Sequence, residues 1–220
     1  MVKTKLAILG LGSRSTSFYL KRLNNIYNKK NGGYSTCPFL LLNANFDVIN
    51  SLLPAVSEKL DAAVSYYINQ IKNLNIDYLL IPNITLHETI DRLNISQNIL
   101  HPVHLSIAKI KENRWEKVVL FGSLFSMKSD YIKNQFKENG IEVLLPNEKD
   151  MVFIDEIRKR IYNESETDDL VKKYHSIIQK YTEINPVILS CTELSILKPT
   201  DNKMLLDMAE IQMETAVKQV

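Results

Sequence analysis

At 220 residues, 45% of them hydrophobic and 24% charged, the chain can build one large packed domain or two small ones. Its 27 basic and 25 acidic residues nearly cancel, and no long basic run occurs, which argues against nucleic acid as a partner. Two cysteines make no disulfide framework, no CxxC or HExxH spacing suggests a metal, and no apolar run approaches the ~20 residues of a membrane span. The first eleven residues reach glycine too soon for a signal peptide, so the expected compartment is a reducing cytoplasm.

Lys5-Leu6-Ala7-Ile8-Leu9 reads as a strand that opens into Gly10-Leu11-Gly12-Ser13-Arg14-Ser15-Thr16 and a helix to about Ile26. Such a turn can receive an anion at the helix start, but the spacing is not GxGxxG, and a glycine-permitted tight turn with a helix cap explains it equally well. Arg14 on that loop is either a solvated charge or a carboxylate clamp. Pro38 to Leu42 is a second strand. A long helical pattern from about Ser51 to Leu74 puts Leu60, Ala63, Val64, Tyr67, Ile68 and Ile71 on one face, with Pro54 expected in its first turn. A third strand, Asp77 to Ile81, ends at Pro82-Asn83-Ile84-Thr85-Leu86-His87, before a helix from Glu88 to about Leu93. Residues 98–103 are ambiguous, and a helix then runs to about Asn113.

The pattern then repeats. Glu116 to Phe121 is a strand, Gly122-Ser123-Leu124-Phe125-Ser126 a turn, and a helix runs to Asn139. Ile141 to Leu145 is a strand, Asn147 opens a helix to Tyr162, and Asn163 to Asp169 is an acidic connection. The helix Leu170 to Tyr181 delivers the chain to Val187-Ile188-Leu189-Ser190-Cys191-Thr192-Glu193-Leu194, a strand running into a helix start with a cysteine at the turn. Unpaired N–H groups there favour a thiolate over a thiol, whereas most free cysteines are buried and inert. A short strand, Lys203 to Leu206, and a closing helix, Asp207 to Val220, complete the chain.

Strands alternating with helices predict an α/β fold with parallel sheets, whose ligand lies at the carboxyl ends of strands. The two halves look alike, which predicts two similar lobes facing each other across a cleft. The expected division is 1–100 plus 206–220 for the N-terminal lobe and 101–205 for the C-terminal lobe.

Ile8-Leu9-Gly10 with Ser15-Thr16, Pro82-Asn83-Ile84-Thr85-Leu86-His87, Leu120-Phe121-Gly122-Ser123 with Ser126-Met127, Ser190-Cys191-Thr192-Glu193-Leu194 and Leu206-Asp207 occur in an order and spacing that together are specific. Over nearly the whole chain they resemble the cofactor-independent aspartate/glutamate racemase superfamily. That resemblance implies two Rossmann-like lobes, an interlobe active site, a homodimer, and neither pyridoxal phosphate nor metal. It also implies a reaction in which one thiolate removes the α-proton of an amino acid and an opposing thiol returns one to the other face.

This chain matches only half of that pair. Cys191 stands at the second-lobe cysteine position, but the first-lobe position is Asn83, which cannot ionise near neutral pH. Cys37 precedes its strand and so does not replace it. Thr85 and Thr192 match hydroxyls that hold the substrate α-carboxylate. Ser15, Thr16, Ser123 and Ser126 stand at matching strand ends, with Arg14 an extra cation on the first of these loops, although helix capping is the simpler role for Ser15 and Ser123. His87 is a proton relay or, more simply, an orienting residue for its loop. Glu193 is counted with the substrate-binding residues, and its simpler role is to stabilise a helix start. The segment Tyr162 to Glu166 lacks the basic residue that several aspartate racemases carry there, leaving Arg14 as the candidate cation. The implied activity is that of an amino-acid racemase working through Cys191. The alternatives are a one-cysteine decarboxylase of the same superfamily and a binding protein for an amino acid or dicarboxylate.

Overall fold

The computed structural model describes residues 4–220. The chain divides into two compact units, one formed by the residues up to His101 with Gln212–Val220 and the other by Pro102–Ile211. Each is an open parallel α/β sheet.

In the first unit the strands are β1 (Leu6–Gly10), β2 (Phe39–Asn43), β3 (Tyr78–Leu80) and β4 (Asn98–Ile99). They lie in the order β2-β1-β3-β4, all parallel. The helices are α1 (Ser13–Asn31), α2 (Phe46–Asn50), α3 (Glu58–Lys72) and α4 (His87–Ile90). Every residue of β1 is buried, as expected for a central parallel strand covered on both faces. Ala7 and Leu9 pack with Leu60, Val64, Ile68 and Ile71 of α3, each burial of a large aliphatic side chain contributing roughly 1.5–3 kcal/mol.

The second unit repeats the plan. Following α5 (Pro102–Glu112) come β5 (Lys117–Phe121), α6 (Leu124–Lys128), α7 (Asp130–Glu138), β6 (Glu142–Leu144), α8 (Glu148–Tyr162) and α9 (Asp168–Thr182). Next are β7 (Val187–Leu189), α10 (Thr192–Ile196), β8 (Leu205–Asp207) and α11 (Met208–Lys218). The strand order β6-β5-β7-β8, again all parallel, is that of the first sheet. Val119, Phe121, Val187 and Leu189 pack against Ile154, Ile157 and Ile161 of α8 and Tyr174 and Ile178 of α9. Because every strand of a sheet points the same way, the turns after β1 and β3 share one sheet edge, as do those after β5 and β7.

Several boundaries are set by local interactions that the sequence pattern does not show. The α3 helix starts at Glu58, not near Ser51, because the Ser57 side chain accepts the Leu60 N–H and caps it; Pro54 falls in the preceding turn. The single helix expected from Ser126 to Asn139 is broken at Ser129, whose extended backbone (ψ 157) separates α6 from α7. The ambiguous stretch after residue 97 contributes β4, paired with β3. Residues 206–211, expected in the first lobe, lie in the second unit, because β8 pairs with β7 and the chain returns to the first unit only at Gln212.

Candidate functional site

In the first unit, Gly10 ends β1 beside Asn43 of β2, and a Cβ on Gly10 would come within 2.6 Å of Asn43 Oδ1. Gly12 is the N-cap of α1, and among the described residues no side-chain hydrogen bond from that position caps the helix. Ser15, expected as a cap, instead turns its buried hydroxyl back to donate to Gly12 O at 3.0 Å, while Thr16 Oγ1 accepts the Leu11 N–H at 3.0 Å. Both hydroxyls therefore shape the turn itself. Arg14 is partly buried in the first turn of α1.

The neighbouring turn after β3 is organised by Asn83. Its Oδ1 accepts the Leu86 N–H at 3.0 Å, and its carbonyl oxygen lies 2.8 Å from Nδ1 of the fully buried His87. The His87 ring meets that of His101 edge to face at 4.6 Å between centroids. Asn83 thus serves its loop through both backbone and side chain. Thr85 stands on the same turn, partly buried. Cys37 lies ahead of β2, at the amino end of that strand; burial pushes its thiol up to about 11.

In the second unit, Ser123 is the N-cap of α6, its Oγ accepting the Ser126 N–H at 3.0 Å and lying 2.9 Å from Ser126 Oγ. Gly122 is required where β5 meets this turn, because a Cβ there would overlap Ser190 Oγ; that hydroxyl donates to Phe121 O at 2.9 Å and stitches β7 to β5. Cys191 follows as the N-cap of α10 and is partly exposed. Its S–H donates to Glu193 Oε2 at 3.0 Å. Burial first, and the Glu193 carboxylate next, push the thiol well above its ordinary range, while the Arg158 guanidinium and the Glu193 backbone N–H pull the other way. Desolvation and the carboxylate in the first turn of this five-residue helix thus favour the thiol, against the thiolate that the helix start alone would favour. Thr192 Oγ1, beside it, is buried and makes no hydrogen bond among the described residues.

Sequence reasoning missed the acidic anchor behind this edge. Asp155 of α8 is buried, and its Oδ1 accepts both the Leu124 N–H at 3.1 Å and Arg158 Nε at 2.9 Å; Lys159 Nζ lies 2.6 Å from its other oxygen. Although burial opposes it, these partners hold the Asp155 carboxyl below its usual range. Because α6 and Arg158 share one carboxylate oxygen, the guanidinium is fixed near the start of α6, and its charge is felt at Cys191. Its two terminal nitrogens make no hydrogen bond among the described residues. The available signal was an aspartate inside the apolar stripe of Met151, Ile154, Ile157 and Ile161.

Two parallel sheets, each gathering hydroxyls and a special turn at its carboxyl edge, define an α/β protein of the kind that binds small ligands at strand ends. The model of the Asp/Glu/hydantoin racemase family matches residues 8–216, so the chain belongs to that family. Among solved structures it is similar to a proposed Asp/Glu racemase from Yersinia pestis (TM-score 0.84, 20% identity, 99% of each chain covered). It is equally similar to an aspartate racemase homologue from Pyrococcus horikoshii (0.84, 20%, 98% of each chain). A Picrophilus torridus aspartate racemase gives 0.79 at 14% identity, covering 99% of this chain and 94% of that one. No curated protein matches the sequence. Among the described residues, no helix is long and apolar enough to cross a membrane.

Proposed function

We propose that the protein is a cofactor-independent, racemase-like enzyme acting at the α-carbon of an acidic amino acid, with Cys191 as its proton carrier. The observation that carries this reading is the Cys191 S–H···Glu193 hydrogen bond at the carboxyl end of β7. In one direction a second acid/base on the opposite face of the α-carbon, for which the family resemblance offers Thr85, His87 or a water held by Asn83, removes the α-proton, and the Cys191 thiol gives its own proton to the carbanion and is left as a thiolate. In the other, Glu193 first takes the S–H proton, the thiolate then removes the α-proton, and the opposite group returns one. Thr192 Oγ1 supports carboxylate binding: a buried hydroxyl without a partner costs about 1–3 kcal/mol, which a substrate carboxylate accepting its proton would recover. The open guanidinium fork of Arg158 supports an acidic substrate, a role that the sequence left to Arg14. Ser123 and Ser126 are proposed to line the same edge, while Arg14, Ser15, Thr16, Thr85 and His87 belong to the proposal through the family resemblance. The proposal includes a homodimer, for which the exposed Leu40 and Leu41 of edge strand β2 offer apolar surface, testable by sedimentation.

A second reading is favoured by the protonated state of Cys191. A resting thiol suits an enzyme that protonates a carbanion left by loss of CO2, which needs only one cysteine and is indifferent to Asn83. Proton NMR of L- and D-amino acids and of aryl- and alkylmalonates in D2O, beside Cys191→Ala, separates the two. Loss of an α-proton signal with appearance of the enantiomer supports racemisation, and CO2 release supports the second reading. Turnover that survives Cys191→Ala refutes both.

A further inference from the structure

We infer that Asp207, acting through Ser195, is a positioning residue that holds the Cys191 turn in register with its carboxylate partner Glu193. The inference rests on the proposed role of Cys191 only for its consequence in catalysis; the geometry stands without it.

Asp207 ends β8 directly opposite Leu189 of β7, two residues before Cys191. It is an almost fully buried carboxylate, and such a charge is retained only where it is paired. Its Oδ1 is pinned by the Ala209 N–H at 2.9 Å and accepts the Ser195 hydroxyl at 2.7 Å, the short distance of a charge-assisted bond. Its Oδ2 lies 2.8 Å from Lys198 Nζ, which also approaches Glu210 at 3.7 Å.

Ser195 and Lys198 flank the end of the short helix that Cys191 begins, so one carboxylate on the neighbouring strand ties down both. Two further bonds hold the same segment: the buried Tyr174 hydroxyl donates to Leu194 O at 3.1 Å, and His175 Nε2 lies 2.7 Å from Leu197 O.

Ser195 has a single proton to give. The Cys191 carbonyl oxygen stands 3.4 Å from its Oγ as the alternative acceptor. Asp207 draws that proton away, and the Cys191 carbonyl is left to the Leu194 N–H at 3.1 Å, which closes the first turn of α10. Without the Ser195–Asp207 bond, whether the hydroxyl or the carboxylate charge is removed, α10 loses its tie to β8. The first turn, which carries both Cys191 and Glu193, would then shift, and the S–H···O contact would loosen.

The test is the pH dependence of iodoacetamide alkylation at Cys191, resolved from Cys37 by peptide mass spectrometry, in Ser195→Ala, Asp207→Asn and Ser195→Thr. Ser195→Ala and Asp207→Asn should alkylate several-fold faster at pH 7.5 with the profile displaced to lower pH, whereas Ser195→Thr, which retains a hydroxyl, should follow the parent protein. For any substrate turned over, kcat should fall about tenfold with KM within twofold, as expected when a reacting group is misplaced by a fraction of an ångström. A folded Ser195→Ala protein with an unchanged or slower profile would overturn the inference. Because alkylation requires no substrate, failure here is distinguishable from failure of the racemase reading, and Ser195→Ala decides alone should Asp207→Asn not fold.

Discussion

Glu193→Gln isolates the charge beside the thiol while keeping its shape. Glutamine retains an oxygen that can accept the Cys191 S–H, so the 3.0 Å contact can persist without the negative charge. Two unit charges at that separation repel by about 5.5 kcal/mol at an effective dielectric of 20 and by about 1.4 kcal/mol in bulk water. Glu193 is partly exposed, so solvent screening places the effect near the lower figure. Removing about 1.4 kcal/mol of repulsion multiplies the thiolate population roughly tenfold at any pH well below the thiol's titration. Cys191 alkylation at pH 7 should accelerate by the same roughly tenfold factor, and its pH profile should move down. If Glu193 is the proton acceptor for Cys191, racemisation should fall even as the thiol becomes more reactive. An alkylation rate within twofold of the parent would refute the electrostatic account of this site.

Cys37 supplies a stability prediction of known sign. Its thiol titrates near 11 in the folded protein against 9.0 ordinarily, so burial of the neutral thiol stabilises the fold below pH 9 and that contribution is lost as pH rises toward 11. The loss should reach about 2 kcal/mol by urea unfolding, and Cys37→Ala should remove this part of the slope. Gly122→Ala should cost about 1–3 kcal/mol, because the new methyl forces Ser190 Oγ off Phe121 O; a Tm equal to the parent's would contradict the overlap. Asn83→Cys should lose the bond from Leu86 N–H, at about 1 kcal/mol, and should raise any racemisation seen in D2O, since it places an ionisable group at the turn after β3.

Most strands were legible because they are short apolar runs closed by a polar or turn residue, and Val187-Ile188-Leu189 before Ser190 shows why: three apolar residues and a polar turn admit few other structures. Ends set by a hydrogen bond were not legible. Nothing in periodicity distinguishes Ser51 from Ser57 as the start of α3; the difference is that Ser57 Oγ faces the Leu60 N–H. The balance at Cys191 was left open because a sequence shows the sign of neighbouring charges but not how far water is excluded, and desolvation is the leading cause of the upward shift. Asp155 and Arg158 were passed over because their partner, the Leu124 N–H, lies 31 residues away in the chain. Asp207 was visible as part of a motif, but its link to Ser195 depends on β8 pairing with β7, which only the topology supplies.

The return of the chain to its first unit at Gln212 constrains the order in which the protein can be made. Gln212 accepts the Tyr19 hydroxyl at 2.7 Å and donates to Leu100 O at 2.6 Å, and Lys30 reaches Val217 O at 3.2 Å. As synthesis proceeds from the amino terminus, residues 102–211 emerge as one uninterrupted stretch that makes up the whole of the second unit. The unit begun first lacks its last segment, and with it the Tyr19–Gln212 bond, until the ribosome has passed residue 212. The later-born unit is therefore placed to fold first, and a ribosome-stalled chain ending before residue 212 should protect the second sheet from proteolysis while the first stays open to it.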